Sequence, residues 1–303
     1  MIVNPTISII VPSYNGAEKI SILLNALVNQ KTSANEVIVV LDGSTDNTKH
    51  VVHSFNKFFN HLRIIEIPNG GRSVARNFGV KNSTGNIIVF YDDDIRPQPD
   101  SIQKHLAFHL KHNGLLTGNP VELIEQEKTD IQNYKAHLTE VWTAKYPEGV
   151  SKLTQQNLFF TAANCSIKKE DFFKLNGFDE RLTDAEDFDL AFRALEKGYS
   201  VYFDKSNKAI HHDPITCHSY IRRIRQYQQA QQKLSLLHPE RRKKKYYLNP
   251  LKQIFYFFFS WRFLPALIDR FSLVQRLPKQ FRYKLYSIVI HSLGVVYPNR
   301  KLE

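Results

Sequence analysis

Ile7 to Val11 is an unbroken apolar run that stops at Pro12, and Glu36 to Leu41, Leu62 to Ile67 and Asn86 to Tyr91 repeat the pattern. Runs this short, with no regular polar alternation, are expected of strands covered on both faces. The stretches between them follow a helical period. Glu18 to Asn29 sets Ile20, Leu23, Leu24, Leu27 and Val28 on one face, Asp46 to Phe59 turns Val51, Val52 and Phe55 inward, and Ser73 to Asn82 reads as a third helix. This βαβα order predicts an α/β fold: a Rossmann-like, mostly parallel sheet with helices on both faces. Ligands of such sheets bind beyond the carboxyl ends of the strands. The polar clusters Ser13-Tyr14-Asn15, Asp42-Gly43-Ser44-Thr45-Asp46 and Asp92-Asp93-Asp94 all fall there.

The pattern loosens after Asp94, where Pro97 and Pro99 interrupt it. Helices are predicted over Ser101 to Asn113 and Ala185 to Lys197, the latter with Phe188, Leu190, Ala191, Ala194 and Leu195 apolar and Gly198 as its stop. A strand is expected within Leu158 to Lys168 and a short one over Ala209 to His212. Ile215 to Leu237 reads as a long polar helix, rich in Arg and Gln. The division expected from this pattern is a catalytic domain over 1–214 and a helical extension over 215–303.

Charge sharpens that division. The 303 residues carry a formal net charge of +12, but Lys205 to Glu303 holds 20 basic against 4 acidic residues, leaving the rest at −4. A basic segment of this kind seeks phosphates, of nucleic acid or of anionic lipid. Cys165 and Cys217 are too few and too far apart in sequence for a disulfide framework, which favours a reducing compartment. Met1 to Val11 lacks a basic leader and a small-residue cleavage pattern, so it is expected to be the first strand and not a signal peptide.

Asp92-Asp93-Asp94 is the densest candidate for chemistry. Three carboxylates at the tip of a buried strand repel one another unless a cation or strong donors sit among them. Oxygen-only ligands suit Mg²⁺ or Mn²⁺, which complete their shells with substrate phosphates. An acidic cluster at a helix start is the other reading of the same residues.

In order along the chain, Ile9-Ile10-Val11-Pro12-Ser13-Tyr14-Asn15, Val39-Val40-Leu41-Asp42-Gly43-Ser44-Thr45-Asp46-Asn47-Thr48, Asn69-Gly70-Gly71-Arg72-Ser73-Val74-Ala75-Arg76-Asn77, Asp92-Asp93-Asp94, and Asn176-Gly177-Phe178-Asp179-Glu180 followed by Glu186-Asp187 resemble the motifs of a family 2 glycosyltransferase with the GT-A fold. The likeness runs from Ile7 to about Tyr227. It implies an inverting enzyme that takes a sugar from a nucleotide-sugar donor, expected to be a UDP-sugar, to a glycan or lipid-linked acceptor in cell-surface polysaccharide synthesis. By the same resemblance, Pro12 and Tyr14 would line the base pocket, Asn15 would belong to the nucleotide-sugar site, and Asp42 would accept a hydrogen bond from the base. Many relatives have a second acid beside it, where this chain has Leu41. Arg72 and Arg76 would lie near the diphosphate or ribose. Asp94 would be the main metal ligand, with Asp92 on the metal or ribose, Asp93 supporting the turn, and His212 as a further ligand preferred over His211. Asp187 would be the general base, with Glu186 orienting the acceptor or capping the helix. Asp179 would line the acceptor cleft or serve the turn. Independently of the resemblance, Trp142 and Tyr146 read either as stacking surfaces for an acceptor sugar or as core packing.

Ile254 to Phe263, Ile-Phe-Tyr-Phe-Phe-Phe-Ser-Trp-Arg-Phe, is dense in aromatics and too short to span a bilayer. With Arg241 to Lys245 it predicts a region lying on an anionic membrane surface, so the expected location is cytoplasmic, at the inner face of the cell membrane. The rival reading is a nucleic-acid-binding protein that uses the basic, aromatic tail. A body that points three aspartates from its sheet argues against it, and no nucleic-acid partner is expected. A nucleotide-sugar pyrophosphorylase would want a Gly-rich basic loop after the first strand, where this chain has Pro12-Ser13-Tyr14-Asn15-Gly16.

Overall fold

The computed structural model describes residues 5–122, 129–211, 215–239, 248–270 and 276–302. The chain forms two compact units, one from 1–121 with 142–212 and one from 122–141 with 213–303. Residues 130–141, which the sequence-based division placed with the first part, pack through Ile131 and Tyr134 with the C-terminal helices.

The first unit is built on one mixed sheet. Strands β1 (Ile7–Ser13), β2 (Glu36–Asp42), β3 (Leu62–Ile67) and β4 (Ile87–Tyr91) run parallel in the order β3-β2-β1-β4. Beyond β4 the sheet continues through β8 (Asn164–Lys168), β6 (Leu115–Val121), β9 (Val201–His211) and β5 (Ile95–Pro97), with β7 (Val150–Leu153) also on β9. Only β6 and β9 are parallel in this second half. The strands expected from the apolar runs thus form the parallel part, and antiparallel pairs extend it.

Alternation within the apolar runs explains why both faces are covered. Ile10, Ile38, Val40, Ile88 and Phe90 join one core with α3 (Arg72–Lys81), α6 (Lys169–Lys174) and α7 (Glu186–Glu196). Their neighbours Ile9, Val11, Val37, Val39, Ile87 and Val89 join the other, with α1 (Ile20–Val28) and α2 (Thr48–Ser54). Each strand therefore needs apolar side chains in both directions.

Polar groups pin the sheet at two places. His105 of α4 (Ser101–Lys111) sits between Ser166 Oγ at 2.8 Å and Asn164 Oδ1 at 2.9 Å, and Ser101 Oγ joins Tyr91 Oη and Asn207 Oδ1 at 2.7 Å each. Burial pushes the His105 imidazole down to about 4, so it bonds as a neutral ring. At the other place, Glu36 accepts from Ser8 Oγ at 2.6 Å, from the Thr84 amide and hydroxyl, and from Arg63 at 3.1 Å. Burial would raise its pKa; these bonds outweigh burial and hold the carboxyl down to about 2. A depressed folded-state value means stability present above the unfolded pKa and lost as pH falls. Glu36→Gln is therefore expected to unfold at lower denaturant than the parent at pH 7, with the gap closing as pH drops from 4.5 toward about 2. Parallel urea titrations across that range check it.

The second unit has its own core, from Ile131 and Tyr134 of α5 (Asp130–Thr143), Cys217 and Ile221 of α8 (Cys217–Leu237), Ile268 of α10 (Phe263–Arg270), and Tyr283, Tyr286 and Val289 of α11 (Lys279–His291). Tyr286 Oη donates to Asp130 at 2.6 Å. Thr216 and Ser219 form a reciprocal cap at the start of α8, and Asp269 accepts the Cys217 amide at 2.6 Å. Helix α9 (Pro250–Phe258) begins with an Asn249 cap and Pro250, and none of its residues is buried. Among the described residues no helix is long and apolar enough to cross a membrane. Arg241 to Lys245 lies outside them. Cys165 and Cys217 are both buried free thiols.

Candidate active site

In the order β3-β2-β1-β4, the strands following β1 lie on both sides of it, which opens a crevice at the carboxyl ends of β1 and β4. The cleft found there measures about 380 Å³. Pro12, Tyr14, Asp42, Arg72, Arg76, Asp92, Asp93 and Asp94 all line it, with Ser13, Lys19, Asn69, Gly70, Gly71, Glu180, Leu182 and Thr183. Residues from five separate motifs meet in one cavity.

The loops around it are tied to one another. Asn15 takes a left-handed conformation and accepts the Thr45 amide at 2.9 Å, while its own amide donates to Ser44 Oγ at 3.0 Å. Asn15 therefore joins the β1 and β2 loops and does not line the cleft. Asp42 spends both carboxylate oxygens on the Gly70 and Gly71 amides, at 2.7 and 2.9 Å. Its observed part is to fix the turn into α3, and any bond to a nucleotide base would share an oxygen already in use. Gly43 has φ +73°, and a Cβ there would meet the Asn69 backbone nitrogen at 2.8 Å, so the two loops approach too closely for a side chain. Tyr14, by contrast, is 54% exposed at the cleft, with its ring free to cover a planar ligand.

The three aspartates differ sharply. Asp92 pairs with Arg76 Nη2 at 2.6 Å, and Asp93 with Lys19 Nζ at 2.8 Å and Ser13 Oγ at 2.5 Å. Among the described residues Asp94 Oδ1 is buried and accepts no hydrogen bond; His211 Nε2 stands 3.5 Å away. Burial would raise the Asp92 carboxyl, but the Arg76 guanidinium outweighs it and holds the acid below its usual range. Burial dominates at Asp93 and pushes that carboxyl up despite Lys19. With Asp92 and Asp93 matched by cationic side chains, Asp94 is the carboxylate whose buried oxygen is left for an added cation. An all-oxygen site with one nearby imidazole fits Mg²⁺ or Mn²⁺. His212, preferred from the sequence, lies outside the described residues, and His211 stands beside Asp94.

Arg76 is fully buried and spans two parts of the site. Its Nη1 donates to Glu186 at 2.6 Å while Nη2 holds Asp92, and its guanidinium lies over the Phe178 ring at 5.5 Å from the centroid. Phe178 is fixed by Asn77, which accepts its amide at 3.0 Å and donates to its carbonyl at 2.9 Å. Asn176 and Gly177 both have positive φ, and a Cβ on Gly177 would meet Asn77 Oδ1 at 2.7 Å. The Asn176-Gly177-Phe178 turn and the Arg72-to-Asn77 helix thus require each other. Arg72 is half-exposed, 3.6 Å from Asp184.

Glu186 and Asp187 open α7 behind Ala185, a non-glycine cap at φ +64°. Asp187 does not line the cleft. Its carboxylate accepts the Ala162 amide at 3.2 Å and the Phe188 amide at 2.7 Å. Burial raises both acids above the usual carboxylate range, and each acts against Arg76, which pulls them down. Glu186 is buried and bound to Arg76 through Oε1. Asp179 is held by Arg181, at 2.9 Å from Nε and 2.6 Å from Nη2, within a local turn, and its neighbour Glu180 is the one that lines the cleft. Trp142 is partly buried and packs on Phe159 and Tyr146, with centroids at 4.4 and 5.4 Å, against the core cluster, which is the packing alternative of its two readings. Lys19 escaped the sequence reading. The signal for it was a lone basic residue just after the β1 loop, opposite three acids.

Residues 8–175 match the sequence profile of Glycosyl transferase family 2. Glycosyltransferase AglE of Haloferax volcanii is 30% identical over 218 residues, which cover 71% of this chain and 67% of AglE. Chondroitin synthase of Escherichia coli is 25% identical over 238 residues, 69% of this chain and 35% of the synthase, so the chain spans about a third of that relative. Among solved structures, residues 1–349 of S. aureus TarS superpose with a TM-score of 0.56 at 16% identity, over 97% of this chain and 90% of that one. TarS has also been solved in complex with UDP-GlcNAc. A mannosyltransferase from Pyrobaculum calidifontis, in complex with GDP-Man and Mn²⁺, superposes with a TM-score of 0.57 at 19% identity, over 99% and 77%. Likeness at such identities is one of fold. By sequence over more than half its length, this chain belongs to glycosyl transferase family 2 and is a glycosyltransferase, with the mixed α/β sheet of the GT-A fold.

Proposed function

We propose that this glycosyltransferase is an inverting, metal-dependent enzyme that moves a sugar from a UDP-sugar to a hydroxyl of a glycan or lipid-linked acceptor. The observation that carries the reading is the buried Oδ1 of Asp94, which accepts no hydrogen bond among the described residues and has only His211 at 3.5 Å, beside carboxylates already matched by Arg76 and Lys19. Asp94, with Asp92 and His211 beside it, would hold Mg²⁺ or Mn²⁺, which when bound neutralises charge growing on a diphosphate leaving group. Tyr14 and Pro12 would cover the base. Arg72, the more exposed of the two cleft arginines, would meet the diphosphate or ribose. Arg76 would act indirectly by holding Asp92 and Glu186 in place.

Asp187 lies outside the donor cleft with its oxygens on the Ala162 and Phe188 amides. In this reading it would take the proton from the acceptor hydroxyl as that hydroxyl's oxygen bonds to the anomeric carbon and the bond from that carbon to the phosphate oxygen breaks. Inversion follows from this single displacement, with no covalent sugar intermediate. The raised pKa of Asp187 suits a base, because a carboxylate above its usual range holds a proton more firmly. The donors seen with TarS and the archaeal mannosyltransferase make a nucleotide-sugar panel the natural probe.

Thermal-shift titration with UDP-, GDP- and dTDP-sugars, with and without Mn²⁺, should give its largest shift with a UDP-sugar and the ion together. Asp187→Asn should keep that shift and lose about 10²- to 10⁴-fold in transfer. A variant that transfers sugar at the parental rate would remove Asp187 from the mechanism. A shift that ignores Mn²⁺ would remove the metal.

A further inference from the structure

We infer that the second unit carries a docking surface for an anionic lipid bilayer, centred on α9 and the turn that follows it. Leu251, Ile254, Phe255 and Phe258 recur at the i, i+3, i+4, i+7 spacing of one helical face, and all four are exposed, Leu251 to 77%. Trp261 and Phe263 extend the patch, at 47% and 52% exposure. Exposed apolar side chains are ordinary when scattered; a contiguous aromatic and aliphatic cluster marks an interaction site.

The opposite side of α9 shows that the helix is anchored and oriented. Phe257 lies under the Arg300 guanidinium, 4.2 Å from the ring centroid, and Tyr297 Oη donates to the Gln253 carbonyl at 2.9 Å. Tyr256 packs on His291 at 5.0 Å between centroids. These contacts hold one face to the unit and leave the other outward.

Charge selects the occupant. Trp261 and Phe263 share a shallow cavity of about 330 Å³ with Arg262, Arg300 and Lys301, and Lys252 is exposed on α9. Aromatic side chains beside cations suit the boundary between acyl chains and phosphate headgroups. Two copies meeting through this patch about a two-fold axis would set their cations against each other. Leu251 and Ile254 offer no stacking surface to nucleic-acid bases. With no described helix able to cross a bilayer, the surface would lie on the membrane.

The test is flotation of the full chain with phosphatidylcholine vesicles, with and without phosphatidylglycerol. Binding is expected with the anionic vesicles, weakening with salt. Phe255→Ser/Phe258→Ser/Trp261→Ser should lower partitioning by about tenfold or more. Arg262→Gln/Lys301→Gln should lower it by roughly fivefold per cation on anionic vesicles. Unchanged far-ultraviolet circular dichroism and melting would show that the variants fold. Failure of the parent to float, or equal flotation of the folded aromatic variant, would overturn the proposal. So would a concentration-dependent dimer, or RNA binding, that the same substitutions abolish while vesicles are ignored.

Discussion

Asp94→Asn should lower sugar transfer by about 10³-fold or more while leaving the fold intact. Asparagine keeps the shape of the side chain and removes its charge. The remaining acids cannot replace that charge, because Arg76 and Lys19 already neutralise Asp92 and Asp93. A cation held there would stabilise the leaving diphosphate by several kcal/mol, and each ~1.4 kcal/mol of barrier is a factor of ten in rate. The same substitution should abolish the Mn²⁺-dependent part of the nucleotide thermal shift, because the buried Oδ1 then carries no negative charge. Transfer assays at saturating donor and acceptor, with Mn²⁺ titrated, provide the measurement. Near-parental activity at parental Mn²⁺ affinity would show that the ion, if required, binds elsewhere.

Arg76→Met should cost stability more than any other single change in the site. Methionine fills much of the space but leaves Glu186 and Asp92 without their shared cation. Breaking a buried ion pair by removing one partner typically costs about 3–5 kcal/mol. The pH dependence carries its own signature. Burial first, and Asp187 second, hold the Glu186 carboxyl above its usual range, while Arg76 opposes them. Without Arg76 the folded-state pKa rises further, so the folded protein binds a proton that the unfolded chain releases. A raised folded-state pKa gives stability that is lost as pH climbs. The deficit of the variant should therefore widen from mildly acidic to alkaline pH, and Arg76→Met/Glu186→Gln should recover part of it. Urea unfolding at several pH values tests both points, and a deficit independent of pH would contradict the role assigned to Glu186.

Much of the parallel half-sheet could be read from the chain because β1, β2 and β4 are buried on both faces and look like nothing else. The other half was obscured by its own polarity. β9 contains Asp204, Ser206, Asn207 and Lys208, which resemble a loop, so only its end from Ala209 was expected. In the fold Asp204 accepts the Ser206 amide at 2.9 Å and Asn207 Nδ2 meets His105 Nε2 at 3.1 Å, bonds that satisfy a buried strand from within. β6 holds Gly118 and Pro120, which read as breakers, yet Pro120 sits in register with Ala209. Helix α5 fell in a stretch with no recognisable motif and is packed through Ile131 and Tyr134.

The candidate site was legible as a set of motifs, because each has a spacing of its own. Its wiring was not. Arg76 was expected near the donor, and its 2.6 Å contacts to Asp92 and Glu186 depend on chain crossings that no local pattern encodes. Trp142 shows the converse, since an aromatic that could cover a sugar looks the same in sequence as one that fills a core.

The dependence of the sheet on β9 has a practical consequence for anyone trimming this protein. The profile match ends at residue 175, but β5, β6 and β7 all hydrogen-bond to a strand that starts at Val201. An expression product cut at the recognised boundary would leave the ladder groups of three strands bare and eager to pair with neighbouring chains. The matched segment is shorter than the piece that completes the sheet.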